Sequence, residues 1–161
     1  MRQLLTSRLL WFSAIGCGLL AGLYFAFSAF IMTALARISP PAGISAMNSI
    51  NVEIVRSLFI PLFIGTTLSA GALAIMAPLR WNEPGAAAML AGGIIYVVGM
   101  FVVTMAFNVP LNNALAAVDP SSAEGATLWS RYLKDWTFWN HARTGASLAG
   151  SVLFTIAIAA N

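Results

Sequence analysis

Hydrophobic residues follow one another along most of this chain in four long stretches, and polar residues are concentrated in the segments between them. The stretches lie at about 9–35, 54–79, 86–115 and 138–160. Each exceeds the roughly 20 residues that a helix needs to cross the hydrocarbon core of a bilayer. The pattern therefore predicts an all-α membrane protein whose single domain, 1–161, has four transmembrane helices.

The segments between the stretches predict how the helices are arranged. A tight connection at 80–85 joins the second and third helices as an antiparallel hairpin. Because consecutive spans alternate in direction, the two longer connections, 37–53 and 116–135, lie on the same side of the membrane. The predicted fold is an antiparallel four-helix bundle with both long connections on one side. Basic residues are divided almost evenly between the two sides, so the positive-inside rule assigns no orientation.

Composition supports a membrane protein and narrows its partners. Of the 161 residues, 60% are hydrophobic and 8% are charged, whereas soluble domains carry roughly 25% charged residues. The lipid bilayer is therefore a predicted partner, and in a bacterial cell this is the plasma or inner membrane. The net charge is +3, but the eight basic residues are spread singly along the chain. Nucleic acid is consequently not a predicted partner.

The sequence lacks the residues that several kinds of functional site require. Cys17 is the only cysteine, so the chain has neither an internal disulfide nor a Cys-x-x-Cys motif. His141 is the only histidine, and the carboxylates are scattered. These features argue against a metal site or bis-histidine haem held by the protein. The sequence also has no glycine-rich phosphate loop and no Ser-His-Asp arrangement.

Polar side chains first interrupt a hydrophobic stretch around Pro110. Proline has no N–H, so Pro110 leaves the carbonyl of Ala106 without its helical partner. Asn108 and Asn112 flank this proline at a spacing of four, which places both amides on one helix face.

A second polar and aromatic series follows the turn after the third hydrophobic stretch. Its members recur at spacings of three and four, which is typical of one face of a helix. The series consists of Trp129, Tyr132, Trp136, Asn140 and Arg143. Amides, aromatic rings and a guanidinium are therefore gathered at the boundary of the membrane.

Arg143 has two interpretations. An arginine carried to the bilayer centre costs about 2.5–3.5 kcal/mol, so it normally has a partner or a function. One interpretation is structural: the side chain reaches the headgroups or pairs with Asp135 or Asp119. The other is a fixed positive charge that faces a pocket and is held by Asn140. The tryptophans Trp129, Trp136 and Trp139 also have two interpretations. They form either an interfacial aromatic belt, which is favoured for Trp139, or the walls of a flat pocket.

At these positions the chain resembles the anthrone oxygenase-like membrane proteins, and the resemblance covers nearly the whole chain. The residues that carry it are Gly22-Leu-Tyr-Phe25 with Ser28, Met47 with Asn51, Asn108-Val-Pro110-Leu-Asn112, and Trp129, Trp136, Trp139, Asn140 and Arg143. Characterised fungal members of this family oxidise anthrones to anthraquinones with dioxygen and without metal or flavin. The resemblance implies the same activity here, with dioxygen as co-substrate, no cofactor and a hydrophobic aromatic molecule as substrate.

The implied reaction passes through an aromatic enolate, so it needs hydrogen-bond donors aimed at an oxyanion, flat walls and a base. The candidate catalytic donors are Arg143, Asn140, Asn108 and Asn112. The candidate substrate-binding residues are Trp129, Trp136, Asn51 and Tyr132. Glu53, Asp119 and His141 remain alternatives for the base.

Two other functions remain open from the sequence. A protein of this composition also suits binding or permeation of a hydrophobic small molecule without catalysis. Small-residue faces such as Gly18-x-x-x-Gly22 allow close helix contacts, as in a structural membrane subunit or a homo-oligomer.

Overall fold

The computed structural model describes residues 2–160, with only the backbone of Arg2, and these residues form five helices and no strand. The ends of the predicted domain, Met1 and Asn161, lie outside the described residues. The helices are α1 Gln3–Leu35, α2 Pro40–Arg56, α3 Phe59–Arg80, α4 Ala86–Ala117 and α5 Ala123–Ala159. All except α2 are long and apolar enough to cross a membrane. The predicted all-α protein with four transmembrane helices is confirmed.

The four long helices form a closed antiparallel bundle. Helix α1 packs along α5, α5 along α4, α4 along α3, and α3 along α1. A tight turn connects α3 to α4, and Gly85 adopts φ 79° there, a left-handed conformation that glycine accepts without steric cost. The two remaining connections lie at the opposite end of the bundle, as the sequence predicts.

The first of these connections is a helix rather than a loop. Pro40 and Pro41 occupy the first turn of α2, where a missing N–H costs no helical hydrogen bond. Helix α2 ends at Arg56, and Ser57 separates it from α3 with an extended backbone. The Ser57 hydroxyl donates to the carbonyl of Ile54 and accepts from the N–H of Phe59. The expected start of the second span near 54 is therefore wrong, because the continuous helix begins at Phe59.

The second connection is much shorter than its sequence suggests. The Ser122 hydroxyl accepts a hydrogen bond of 2.9 Å from the Gly125 N–H and so caps the start of α5. Helix α5 then runs for 37 residues, beginning well before the expected position 138. Glu124, Arg131 and Lys134 interrupt the hydrophobic stretch without interrupting the helix, because they project from its exposed side.

The exposed residues of α5 change from charged to apolar along the helix. Arg131 and Lys134 are exposed in the first third, whereas Phe138, Leu148 and Val152 are exposed later. A helix of 37 residues is about 55 Å long, compared with roughly 30 Å for the hydrocarbon core of a bilayer. The bundle therefore extends beyond the hydrocarbon on the connection side. We call this part the cap, and define it as α2 with residues 109–117 of α4 and 123–135 of α5.

The buried apolar residues form two clusters, one in the membrane part and one in and next to the cap. The membrane cluster includes Leu10, Cys17, Leu20, Tyr24, Phe63, Leu73, Tyr96, Met100 and Phe154. The cap cluster consists of Phe27, Met32, Ile44, Met47, Leu115, Trp129, Tyr132 and Trp136. Arg143 contacts Tyr24 of the first cluster and Trp136 of the second, so it lies at the junction between them.

The helices widen near this junction. Helix α1 has a π-helical turn at Phe27–Ile31, and α4 has two, at Val97–Val102 and Thr104–Asn108. The Val109 N–H bonds to the carbonyl of Thr104, five residues earlier, immediately before Pro110. The π-helical turn thus accommodates the hydrogen bond that is missing at Pro110, and the helix continues without a break. Such turns are frequent at functional sites.

Candidate functional site

Arg143 lies inside the bundle, with only 5% of its surface exposed. Its Nη2 donates a hydrogen bond of 2.6 Å to Oδ1 of Asn140. The guanidinium carbon is 4.5 Å from the ring centroid of Tyr24 and 4.9 Å from that of Trp136. The charge is therefore held between two aromatic rings that belong to different helices.

Both structural interpretations of Arg143 are excluded by this placement. A side chain that reaches the headgroups would be exposed, and this one is buried. Asp135 pairs with Arg131 at 3.0 Å, and the Asp119 carboxylate accepts from the N–H of Ser121. Within residues 2–160, no carboxylate forms an ion pair with Arg143. The site therefore holds a buried cation whose anionic partner is not supplied by these residues.

Asn140 fixes the guanidinium by linking α5 to α1. Its Nδ2 donates to the carbonyl of Tyr24 and to the hydroxyl of Ser28, both at 2.7 Å. These two bonds use both N–H groups of the amide, so Oδ1 must point to Arg143. The predicted role of Asn140 as the residue that holds Arg143 agrees with this geometry.

Asn108 and Asn112 share one face of α4, as predicted, and both face the stripe on α5. Nδ2 of Asn108 donates to the carbonyl of Trp136 at 3.2 Å. The hydroxyl of Tyr132 donates to Oδ1 of Asn112 at 2.7 Å. Two amides four residues apart on α4 thus contact two aromatic residues four apart on α5. This contact fixes the rotation of one helix against the other.

The aromatic residues of the stripe stack in series. The ring centroids of Trp129 and Tyr132 are 5.6 Å apart, and those of Tyr132 and Trp136 are 6.0 Å apart, with the planes nearly parallel. Trp129 packs against Gly43 of α2 so closely that a Cβ there would lie 2.6 Å from the indole ring. All five residues of the stripe are buried on one side of α5.

A cavity of about 180 Å³ adjoins Arg143 and is lined by all five helices. Its polar lining includes Asn51, Asn112, Trp136 and Arg143, four of the eight predicted site residues. The apolar lining consists of Leu23, Phe27, Met47, Ile50, Ile54, Val55, Phe59, Ile60, Phe63, Met105 and Val109. Of the other predicted residues, Asn140 and Asn108 are buried and support Arg143 and Trp136. Tyr132 and Trp129 lie further into the cap and do not line the cavity.

Two nitrogen donors of the lining residues lack a hydrogen-bond partner among residues 2–160. They are Nε of Arg143 and Nε1 of Trp136. Leaving a buried donor unpaired costs about 1–3 kcal/mol, and more for a charged group. The residues that carry both donors line the cavity, so an oxygen-bearing molecule bound there would lie next to them. The site is therefore suited to an oxygen-bearing, negatively charged ligand.

A comparison with known protein families gives a match over much of the chain. A family model described as anthrone oxygenase matches residues 50–153. The chain belongs to the anthrone oxygenase family. Comparisons with curated proteins and with solved structures give no match.

The part matched by the anthrone oxygenase family contains most of the site. It extends from the end of α2 through α3 and α4 and most of α5. The predicted site residues from Asn51 to Arg143 all fall within it. Tyr24 and Ser28 lie before it, on α1, yet they position Arg143 through Asn140. Both residues carry the family resemblance, but no local pattern marks them as site residues, because their contacts join helices far apart in sequence.

The three candidate bases of this anthrone oxygenase family member lie outside the cavity. Glu53 is exposed and pairs with Arg56, while Asp119 and His141 are also exposed. None of the three lines the cavity. Among residues 2–160, no group of three His, Cys, Asp or Glu side chains lies close enough together to hold a metal ion.

Proposed function

We propose that this protein is a membrane-embedded oxygenase that oxidises an anthrone-like polycyclic phenol with dioxygen, without metal or flavin. The observation that carries the proposal is the buried guanidinium of Arg143, which lines the cavity and has no carboxylate partner among residues 2–160. Membership of the anthrone oxygenase family supports the reaction class.

The first step is loss of a proton from the CH₂ group opposite the substrate carbonyl, which gives an aromatic enolate. Its oxyanion lies against the guanidinium of Arg143, where the positive charge stabilises it more strongly than it stabilises the neutral ketone. Because this interaction favours ionisation, a weak acceptor such as water suffices as the base. This assignment agrees with the placement of the three candidate bases outside the cavity.

The second step transfers one electron from the enolate to dioxygen, giving superoxide and a carbon-centred radical. The two recombine to form a peroxide at the ring carbon, and protonation followed by loss of water produces the second carbonyl. One oxygen atom enters the quinone and the other leaves as water, so CH₂ and O₂ become C=O and H₂O. The N–H of Trp136 and Nε of Arg143 are the donors proposed to bind the developing oxyanions.

The decisive test is the stoichiometry of oxygen uptake by purified protein in nanodiscs. With an anthrone as substrate, we expect one quinone formed per dioxygen consumed, with no hydrogen peroxide released. Activity should persist after chelation, and the protein should show no flavin or haem absorbance. Absence of uptake above the autoxidation rate of the anthrone, or activity that disappears on chelation, would contradict the proposal.

A second function, binding of a hydrophobic aromatic molecule without catalysis, is favoured by the largely apolar cavity lining. The same preparation distinguishes it from the oxygenase. A pure binding protein would take up the anthrone and protect it from autoxidation, so oxygen consumption would fall below the rate without protein.

A further inference from the structure

We propose that the cavity beside Arg143 takes its ligand directly from the bilayer, through a lateral portal between α2–α3 and α4. The portal consists of Val55, Phe59 and Ile60 on one side and Met105 and Val109 on the other. Its occupant is an amphiphilic phenol that enters with its oxygen end first. The identity of the ligand rests on the proposed function, whereas the route does not.

The first observation is that two neighbouring helices separate at this level. Helix α3 packs on α4 in the membrane part, and α2 packs on residues 109–117 of α4 in the cap. Between these two contacts, Thr104–Asn108 packs on α5 and makes few or no contacts with α2 or α3. The gap coincides with the extended backbone at Ser57 on one side and the π-helical turn on the other. Both local irregularities thus act to hold the helices apart.

The second observation is the exposure of the residues around the cavity. Val55 is 57% exposed and Met105 is 50% exposed. All other residues lining the cavity are buried or half-buried. The cavity therefore opens to the outside between these two side chains, at the end of α2 and in the π-helical turn of α4.

The third observation is the level of the opening in the membrane. The exposed ion pair of Glu53 and Arg56 flanks Val55 at the end of α2, exposed Leu58 follows before α3, and exposed Val102 precedes Met105 by three residues on α4. Charged residues normally remain in the headgroup region, whereas exposed aliphatic residues face the acyl chains. The portal consequently opens into the upper acyl region, just below the headgroups, where amphiphilic phenols concentrate.

Routes from water are closed by packing. From the cap side, a ligand would have to cross the cap cluster, in which Met47, Leu115 and Tyr132 are fully buried. From the opposite side, Leu20, Tyr96 and Phe154 of the membrane cluster close the bundle. Through the portal, in contrast, polarity rises from apolar side chains at the mouth to the unpaired donors at the inner wall. This gradient orients an incoming phenol towards Arg143.

The test uses 1,8-dihydroxyanthraquinone as a ligand that cannot be oxidised in the same way, with protein in nanodiscs. Binding is followed in stopped flow through quenching of tryptophan fluorescence. We expect Met105→Phe and Val55→Phe to slow both association and dissociation by about tenfold while leaving Kd within a few-fold, because they narrow the mouth of the cavity and leave its polar inner wall unchanged. Val98→Phe is the matched control, since Val98 lies on the same helix, is 54% exposed and does not line the cavity.

A second measurement varies the amount of lipid at constant total ligand. The association rate should follow the mole fraction of ligand in the bilayer and not its concentration in water. Unchanged rates in both portal variants, or a rate set by the aqueous concentration, would overturn the proposal. If portal variants slow binding but anthrones consume no oxygen, the oxygenase function fails and the portal stands. If oxygen is consumed but both portal variants bind the anthraquinone at the wild-type rate, the portal fails and the oxygenase stands.

Discussion

Replacement of Arg143 by lysine separates the geometry of the guanidinium from its charge. Lysine keeps the positive charge but has neither the planar fork that donates to Asn140 nor a flat face for the rings of Tyr24 and Trp136. Each desolvated ring contact is worth up to about 2 kcal/mol, so a modest loss of stability is expected. Loss of one donor to a developing oxyanion typically costs about 2.7–4 kcal/mol, or about 10²–10³ in kcat.

The expected result for Arg143→Lys is therefore a fall in kcat of about 100-fold or more, with protein that still inserts and purifies. Arg143→Ala should also be inactive. It should also lower stability, because it removes both ring contacts of the guanidinium and leaves Oδ1 of Asn140 without its donor. The assay combines oxygen uptake and quinone absorbance with thermal unfolding in detergent.

Arg131→Lys is the matched control, since Arg131 lies on the same helix and is exposed. It should behave as wild type in both assays. Undiminished turnover in Arg143→Lys would refute the oxyanion role of the guanidinium. A Tm of Arg143→Ala equal to that of wild type would refute the contribution of these contacts to stability.

Three further predictions concern neighbouring residues. Asn140→Asp places a carboxylate against the buried guanidinium, so turnover should fall at least as far as in Asn140→Ala; oxygen uptake retained in the aspartate variant would contradict this. Trp136→Phe keeps an aromatic ring but removes the unpaired N–H, so the Kd of a hydroxyanthraquinone should rise about tenfold in calorimetry, while that of anthracene should not change. Gly43→Ala forces the ring of Trp129 to move and should lower the thermal midpoint, whereas Gly145→Ala, with no neighbouring atom within 4 Å, should not.

The stripe on α5 and the four long helices could be predicted from the sequence because each depends on local periodicity. The spacings of three and four between Trp129 and Arg143 place these residues on one helix face, whichever element the helix packs against. All five residues of the stripe are buried. The apolar stretches likewise reveal the membrane part of each helix. Local periodicity is therefore sufficient to predict the bundle and most of the residues around Arg143.

The cap and the cavity could not be predicted in the same way. Residues 123–135 are helical although Arg131 and Lys134 break the apolar run, because only one side of this part of α5 is buried. The contact of Asn140 with Tyr24 joins residues that are more than a hundred positions apart. The cavity itself results from the gap beside the π-helical turn of α4, which depends on how five helices pack. Such features have no local sequence pattern.

The hydrogen bond from Asn140 to the main-chain carbonyl of Tyr24 has a consequence for substrate range. A carbonyl is present whatever side chain position 24 carries, so the anchoring of Asn140 does not require the phenol ring, which contributes a separate contact with the guanidinium. The ring is part of the cavity wall. The wall at position 24 can therefore be reshaped by substitution while the hydrogen bonds that hold Asn140 against Arg143 are kept.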